Sequence, residues 1–294
     1  ELERIHSHLL WFGLAGHFIG YNTVFMWAWR YRDPCLDALE IATGSRINYA
    51  NHTVGGSRLD LDPGKVKVIH EKLDEIEKPL DMFISVALGD PILSLRLKDV
   101  GVLSEEAART LGACGPTVRA SNVPIDVRRD DPYAAYDRLD WDVITCENGD
   151  VFDKVVVRLL EIKEAIRILR QALRDLPEGP IQTKVEEIPP GEGVGHVEAP
   201  RGETFHFVKS NGGPGPERLK IRAPTYNNLP TFKASCIGQA IADVTITLAS
   251  IDPCYSCTER MLVVRDADSG KELMDFADLV RLSRQKTEDI RSQL

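Results

Sequence analysis

The sequence predicts a mainly α protein with a small β-hairpin region. Three observations carry this expectation. Val151, Val155, Leu159, Ile162, Ile166, Leu169 and Leu173 trace one apolar stripe at helical spacing, behind a Gly149-Asp150 cap and ahead of Pro177 and Gly179. Lys65 to Leu88 repeats that spacing just after Pro63. The character then changes: residues 188–221 are rich in Gly and Pro. They hold two strand-like runs, Thr204-Phe205-His206-Phe207-Val208 and Arg218-Leu219-Lys220-Ile221-Arg222, on either side of a turn at Asn211–Pro216.

Taken in order, Glu1 to Leu10 reads as a helix already under way, with no initiator Met, cap or signal peptide. The natural N-terminus is therefore expected upstream. Leu9 to Trp29 is the most apolar run and long enough to span a bilayer. His17, Asn22 and three glycines interrupt it, and polar groups in hydrocarbon are expensive, so a buried helix of a large soluble core is expected instead. Pro79 is expected to kink or split the 65–88 helix. Phe232 to Ala249 is apolar and helical in part. The last stretch holds a short strand (Leu262-Val263-Val264), a turn at Asp268-Ser269-Gly270 and a polar helix. It is expected to be separable, giving a core of 1–260 and an extension of 261–294.

A chain of 294 residues with 43% hydrophobic and 28% charged residues has room for a sizeable core. Its net charge of −9 disfavours a nucleic-acid-binding surface. The six cysteines are scattered except for Cys254 and Cys257, which argues for a reducing compartment rather than a disulfide scaffold.

That last pair sits in Asp252-Pro253-Cys254-Tyr255-Ser256-Cys257-Thr258-Glu259-Arg260. Cysteines three apart share one face of a helical turn, so both sulfurs can reach one metal ion. Asp252 is a good helix N-cap and Pro253 a good first helical residue. A helix N-terminus there would favour thiolate over thiol, the form that binds a soft metal. The competing reading is half a zinc site or an unliganded pair. Zinc would need further ligands, and no second C-x-x-C or close histidine pair presents itself. Cys35, Cys114, Cys146 and Cys236 have no partner at ligand spacing and read as core.

A second candidate is Glu198-Ala199-Pro200-Arg201-Gly202-Glu203. Pro before Arg201 fixes the approach of the backbone and Gly after it clears space, so the arginine can be held rigidly over a ligand. The plainer reading is a surface hairpin entrance with a salt-bridged arginine.

Together, Asp252-Pro253-Cys254-x-x-Cys257-x-x-Arg260 and Glu198-Ala199-Pro200-Arg201-Gly202 resemble the catalytic large subunit of nickel–iron hydrogenases. Glu3-Arg4-Ile5-x-Ser7-His8-Leu9, Asn48-Tyr49 with Gly55-Gly56-x-Arg58-x-Asp60, and Gly115-Pro116-x-x-Arg119-Ala120-Ser121 with Asp126-x-Arg128 and Pro132-Tyr133 narrow the resemblance. They look like the membrane-bound, energy-converting class, including the hydrogenase of formate hydrogenlyase, and are shared with the large subunit of the complex I quinone module. Separated motifs agreeing in order along nearly the whole chain make the resemblance specific.

The resemblance implies a multihelical hydrogenase large-subunit-like core and a Ni-Fe centre. In it Cys254 is a terminal nickel thiolate, and Cys257 bridges nickel to an iron carrying cyanide and carbon monoxide. Soft thiolates suit nickel. Pro200 and Arg201 would lie against the cofactor, with Asp252 orienting Arg201. A guanidinium pKa above about 12 makes Arg201 an electrostatic group rather than a literal base. The family's nickel site takes four cysteines and a proton-passing acid; its first cysteine pair lies before the Glu3-Arg4-Ile5 helix, outside this sequence. Implied partners are an iron–sulfur small subunit, because this chain lacks the cysteine spacing for a cluster, other soluble subunits and a membrane arm. Dihydrogen and protons are the implied substrates, and the cytoplasmic side of the membrane the implied location. A maturation protease cutting at Arg260–Met261 is also implied. The alternative is a complex I-like quinone-module subunit without nickel; relatives of that kind lack the nickel cysteines, whereas this chain has Cys254 and Cys257.

Overall fold

The described residues divide into two units, Glu1–Cys254 and Tyr255–Leu294. The computed structural model describes residues 1–258, 263–266 and 268–292. The first unit opens with helices α1 (Leu2–Phe18) and α2 (Asn22–Thr43), which pack on each other along their length. The sequence suggests one helix across Leu9 to Trp29. The chain instead turns at Ile19-Gly20-Tyr21, where His17 Nδ1 pairs with the Asn22 side chain at 2.9 Å. Residues among those that argue against a membrane span, Gly20 and Asn22, stand where the helix breaks.

A minimal hairpin of β1 (His52–Thr53) and β2 (Gly56–Ser57) leads to α3 (Pro63–Gly89). The Asp62 side chain caps α3 by accepting from the Lys65 N–H at 2.9 Å. The helix runs on through Pro79 rather than splitting there. Its Ile69, Leu73, Ile76, Leu80 and Phe83 are all buried in the main core. Burying each such side chain stabilises by roughly 1.5–3 kcal/mol, which outweighs one lost helical hydrogen bond.

Four short helices follow: α4 (Pro91–Leu97), α5 (Glu105–Thr110), α6 (Pro116–Arg119) and α7 (Val127–Asp130). Then comes α8 (Val151–Arg174), which starts where expected, with the Asp150 carboxylate accepting from the Asp153 N–H at 2.8 Å. Its apolar stripe packs into the core against α1 and α3. Lys154, Arg158 and Glu161, at i, i+4 and i+7, are buried as well. Helix α8 is therefore central, with a charged line inside the protein.

The β region is a three-stranded antiparallel sheet of β3 (Gly191–Ala199), β4 (Gly202–Ser210) and β5 (Arg218–Arg222), in that order. The β4–β5 hairpin matches the sequence reading. Strand β3 is not visible in the sequence, because Gly191, Gly193 and Gly195 blur any strand pattern; it forms by pairing along β4 from Gly191↔Ser210 to Ala199↔Gly202. Helix α9 (Pro224–Cys236), a 3-10 turn at Ile241–Asp243 and α10 (Val244–Ser250) close the unit.

The second unit holds a 3-10 turn at Tyr255–Cys257, the antiparallel pair β6 (Val264–Arg265) and β7 (Glu272–Met274), and α11 (Phe276–Arg291). Asp275 and Asp278 form a reciprocal capping box at the start of α11. Leu262 and the Arg260–Met261 bond lie outside the described residues. Among the described residues, no helix is long and apolar enough to cross a membrane.

Candidate functional site

Pro200 and Arg201 form the tip of the β3–β4 hairpin, closed by the Ala199↔Gly202 pair. Backbone packs on backbone at this tip. A Cβ on Gly115 would lie 2.3 Å from the Arg201 carbonyl oxygen. A Cβ on Gly202 would lie 2.6 Å from Cys114 Sγ, and Gly202 has φ +125. Only glycine fits either place. Asn228 clamps the two segments: its Oδ1 accepts from Cys114 N–H at 2.9 Å, and its Nδ2 donates to the carbonyls of Cys114 (3.1 Å) and Arg201 (3.3 Å). Fully buried Asn228 is thus a positioning residue that no motif in the sequence singles out.

From this fixed tip, the Arg201 guanidinium reaches Asp252 and Ser7. Nε donates to the Asp252 carbonyl at 2.9 Å, Nη2 to Asp252 Oδ1 at 3.0 Å, and Nη1 to Ser7 Oγ at 3.3 Å. The Arg201 side chain is 19% exposed and Asp252 10%. This is not the solvated surface pair of the plainer reading. Burial pushes the Asp252 carboxyl up, against the opposing charges of Arg201 and Arg158. Its Oδ2 is buried without a hydrogen-bond partner among the described residues.

Asp252 does not act as a helix cap. It has φ +54, its carboxylate is turned to Arg201, and the residues that follow form one 3-10 turn, Tyr255–Cys257, rather than an α-helix through residue 258. The expected thiolate activation by a helix N-terminus has no support in this geometry. Cys254 closes the first unit and Cys257 lies in the second; each is half-buried within the protein. Among the described residues, no three His, Cys, Asp or Glu side chains gather as a metal-binding group. Arg260 lies outside the described residues.

Behind the hairpin tip lies a web of buried charge. Arg119 Nη1 donates to Glu198 Oε1 and its Nε to Glu161 Oε1, both at 2.8 Å. Arg4 Nη2 donates to the Glu198 carbonyl at 2.7 Å, and the Tyr133 hydroxyl accepts from the Glu198 N–H at 3.1 Å. Asp126 is gripped by Arg128 and also lies 3.4 Å from Arg119. Burial alone would lower the Arg119 pKa, but Glu161, Glu198 and Asp126 outweigh it and hold the guanidinium charged. Burial likewise pushes Glu161 up, and the charge of Arg119 with the bond from His8 holds it well below the usual carboxylate range. The Arg201 hairpin is anchored through this web, since Glu198 stands three residues before Arg201.

Of the other cysteines, Cys35 and Cys114 are core as expected, their thiols pushed by burial to about 12, while Cys146 and Cys236 are half-buried. His8 is fully buried and bonded to Glu161 at 2.8 Å; His6 accepts from Arg32 Nε at 3.1 Å.

Comparison with known proteins agrees with the motifs. The chain matches the profile of the respiratory-chain NADH dehydrogenase 49 Kd subunit over residues 19–188 and 181–260. It is 38% identical to the membrane-bound hydrogenase subunit alpha of Pyrococcus furiosus over 307 residues, covering 99% of this chain and 71% of that protein. It is 38% identical to the carbon monoxide-induced hydrogenase of Rhodospirillum rubrum over 262 residues, covering 88% of this chain and 73% of that protein. It is also 35% identical to an NADH-quinone oxidoreductase subunit of Deinococcus radiodurans over 288 residues, covering 88% of this chain and 72% of that one. These relatives are oxidoreductases or their subunits, and the chain belongs to the 49 Kd-subunit family of respiratory-chain NADH dehydrogenase, in which hydrogenase and NADH-quinone oxidoreductase subunits are its kin.

Proposed function

We propose that the chain is the catalytic subunit of a nickel–iron hydrogenase within a membrane-bound complex, with dihydrogen and protons as substrates. One observation carries this reading: Arg201, held on a rigid hairpin tip, is bonded twice to Asp252, two residues before Cys254. The donor chemistry fits in part. Cys254 and Cys257 would supply soft thiolate ligands of the kind nickel and iron take, and Asp252 Oδ2, buried without a hydrogen-bond partner among the described residues, would be open to a bound group. The other two thiolates of a four-sulfur site would come from outside this sequence.

When bound, the metal pair would supply heterolytic chemistry on dihydrogen. The chain's own residues would do the rest. Cys254 Sγ would hold the proton. Arg201 would place fixed guanidinium donors beside the reacting site, and Asp252 would keep them aimed. Pro200 would hold the backbone of the tip in place. Electrons would leave through an iron–sulfur small subunit, and the complex would sit on the cytoplasmic side of the membrane. A maturation protease acting at Arg260–Met261 would remove 261–294.

A second reading is favoured by the similarity to the NADH-quinone oxidoreductase relative: a quinone-module subunit without nickel. Metal analysis of the purified complex separates them. Nickel in an amount equal to this chain, lost in Cys254→Ala and Cys257→Ala, is expected for the hydrogenase. An intact complex that turns over quinone and contains no nickel would establish the second reading instead.

A further inference from the structure

Lys154 and Arg158, one turn apart on α8, are 0% and 1% exposed, and neither forms an ion pair among the described residues. Buried charges without an ion-pair partner in contact are costly, by several kcal/mol each, and similar apolar side chains would serve stability better. Burial lowers Lys154 to about 7, with Arg158 adding to the effect, and lowers Arg158 to about 10, so the site presses against their charges.

What the two cations touch explains their place. Arg158 Nη2 donates to the Ser250 carbonyl at 2.9 Å, and Lys154 Nζ to Ser250 Oγ at 3.3 Å and the Gly101 carbonyl at 3.1 Å. The Arg158 guanidinium stacks 3.9 Å over the Trp11 ring, whose Nε1 donates to the Ala249 carbonyl at 2.7 Å. Arg201 Nε holds the carbonyl of Asp252 at 2.9 Å. The carbonyls of Ala249, Ser250 and Asp252 are therefore each tied by a different side chain. Such ties are needed, because Asp252 has φ +54, a conformation an L residue adopts at a cost of about 1–3 kcal/mol. The charges of Asp252 and Glu161 oppose the lowering of Arg158 by burial.

We propose that Arg158 and Lys154 are positioning residues for the 249–254 turn, holding Ser250 so that Asp252 meets Arg201 and Cys254 is delivered at a fixed place. The consequence for turnover rests on the hydrogenase reading; the positioning itself does not.

The test uses the intact complex carrying Arg158→Lys, Arg158→Met and Lys154→Met, with Lys163→Met, an exposed cation of α8, as control. Amide hydrogen exchange is read by mass spectrometry. Exchange in 249–254 should rise about tenfold or more in both Arg158 variants, less in Lys154→Met, with α3 unchanged and the control like wild type. In a nickel-containing complex, kcat should fall in Arg158→Lys at unchanged KM and unchanged nickel content. Wild-type exchange at 249–254 in Arg158→Met, or a rise spread evenly over the chain, overturns the proposal. A wild-type complex without nickel would overturn the hydrogenase reading alone, leaving the exchange result to decide the positioning.

Discussion

Arg201 holds Asp252 by two different handles, Nε on its main-chain carbonyl at 2.9 Å and Nη2 on its carboxylate at 3.0 Å. The fork fixes both where the turn before Cys254 runs and which way the carboxylate points. A lysine carries the same charge on a single nitrogen at the end of a flexible stem and lacks the planar fork that fixes both handles at once. If the chain is the proposed hydrogenase subunit, Arg201→Lys is expected to lower hydrogen turnover by about 10²-fold or more while nickel content stays at the wild-type level. Turnover at the wild-type rate would remove Arg201 from the chemistry.

The hairpin tip should tolerate no added carbon. Gly202→Ala puts a Cβ at 2.6 Å from Cys114 Sγ on a backbone with φ +125, and Gly115→Ala puts one at 2.3 Å from the Arg201 carbonyl. Each substitution should destabilise by about 1–3 kcal/mol from backbone strain alone, with the clash in addition. Urea denaturation measures this. The same variants should lose turnover beyond the loss in folded protein, because the clash displaces Arg201.

Much of this is legible in the sequence, and the rest has physical reasons for being hidden. The α8 stripe, the β4–β5 hairpin and the pairing of Arg201 with Asp252 follow from periodicity, turn residues and the family motifs. Strand β3 does not, because its pairing is supplied by β4 and its own glycines carry no signal. Asp252 resembles an N-cap because Asp-Pro is a strong local cue; the long-range bond to Arg201 overrides it. Lys154, Arg158 and Glu161 flank the apolar stripe of α8, and their charge marks them as solvated in the sequence. Burial of that flank depends on α1 and α10 covering it, which no local pattern records.

Arg119 is the hub of the buried web, holding Glu161 and Glu198 at 2.8 Å each. Removing it leaves two buried carboxylates without their counter-charge. Arg119→Met is expected to destabilise by about 3–5 kcal/mol, the usual range for breaking a buried pair from one side. The double variant Arg119→Met, Glu198→Gln should recover part of that loss. A loss below about 1 kcal/mol in the single variant, seen as an unchanged urea midpoint, would mean the web does not anchor the hairpin.

The web also sets a direction for pH dependence. Burial lowers His8 from 6.5 to about 4, even though its bond to Glu161 pulls the other way. Glu161 stays ionised throughout this window, being held well below the usual carboxylate range. Between the two His8 values the unfolded chain binds the proton and the folded chain does not, so acid favours unfolding. The His8 penalty is absent above pH 6.5 and complete below about pH 4, amounting to about 3 kcal/mol. His6, also lowered to about 4 by burial and then by Arg32, acts in the same sense. Urea midpoints measured across this range should fall as pH falls, and His8→Gln, which keeps a donor for Glu161 and cannot titrate, should flatten part of the slope and leave the His6 share. An unchanged slope in His8→Gln would place the acid sensitivity elsewhere in the protein.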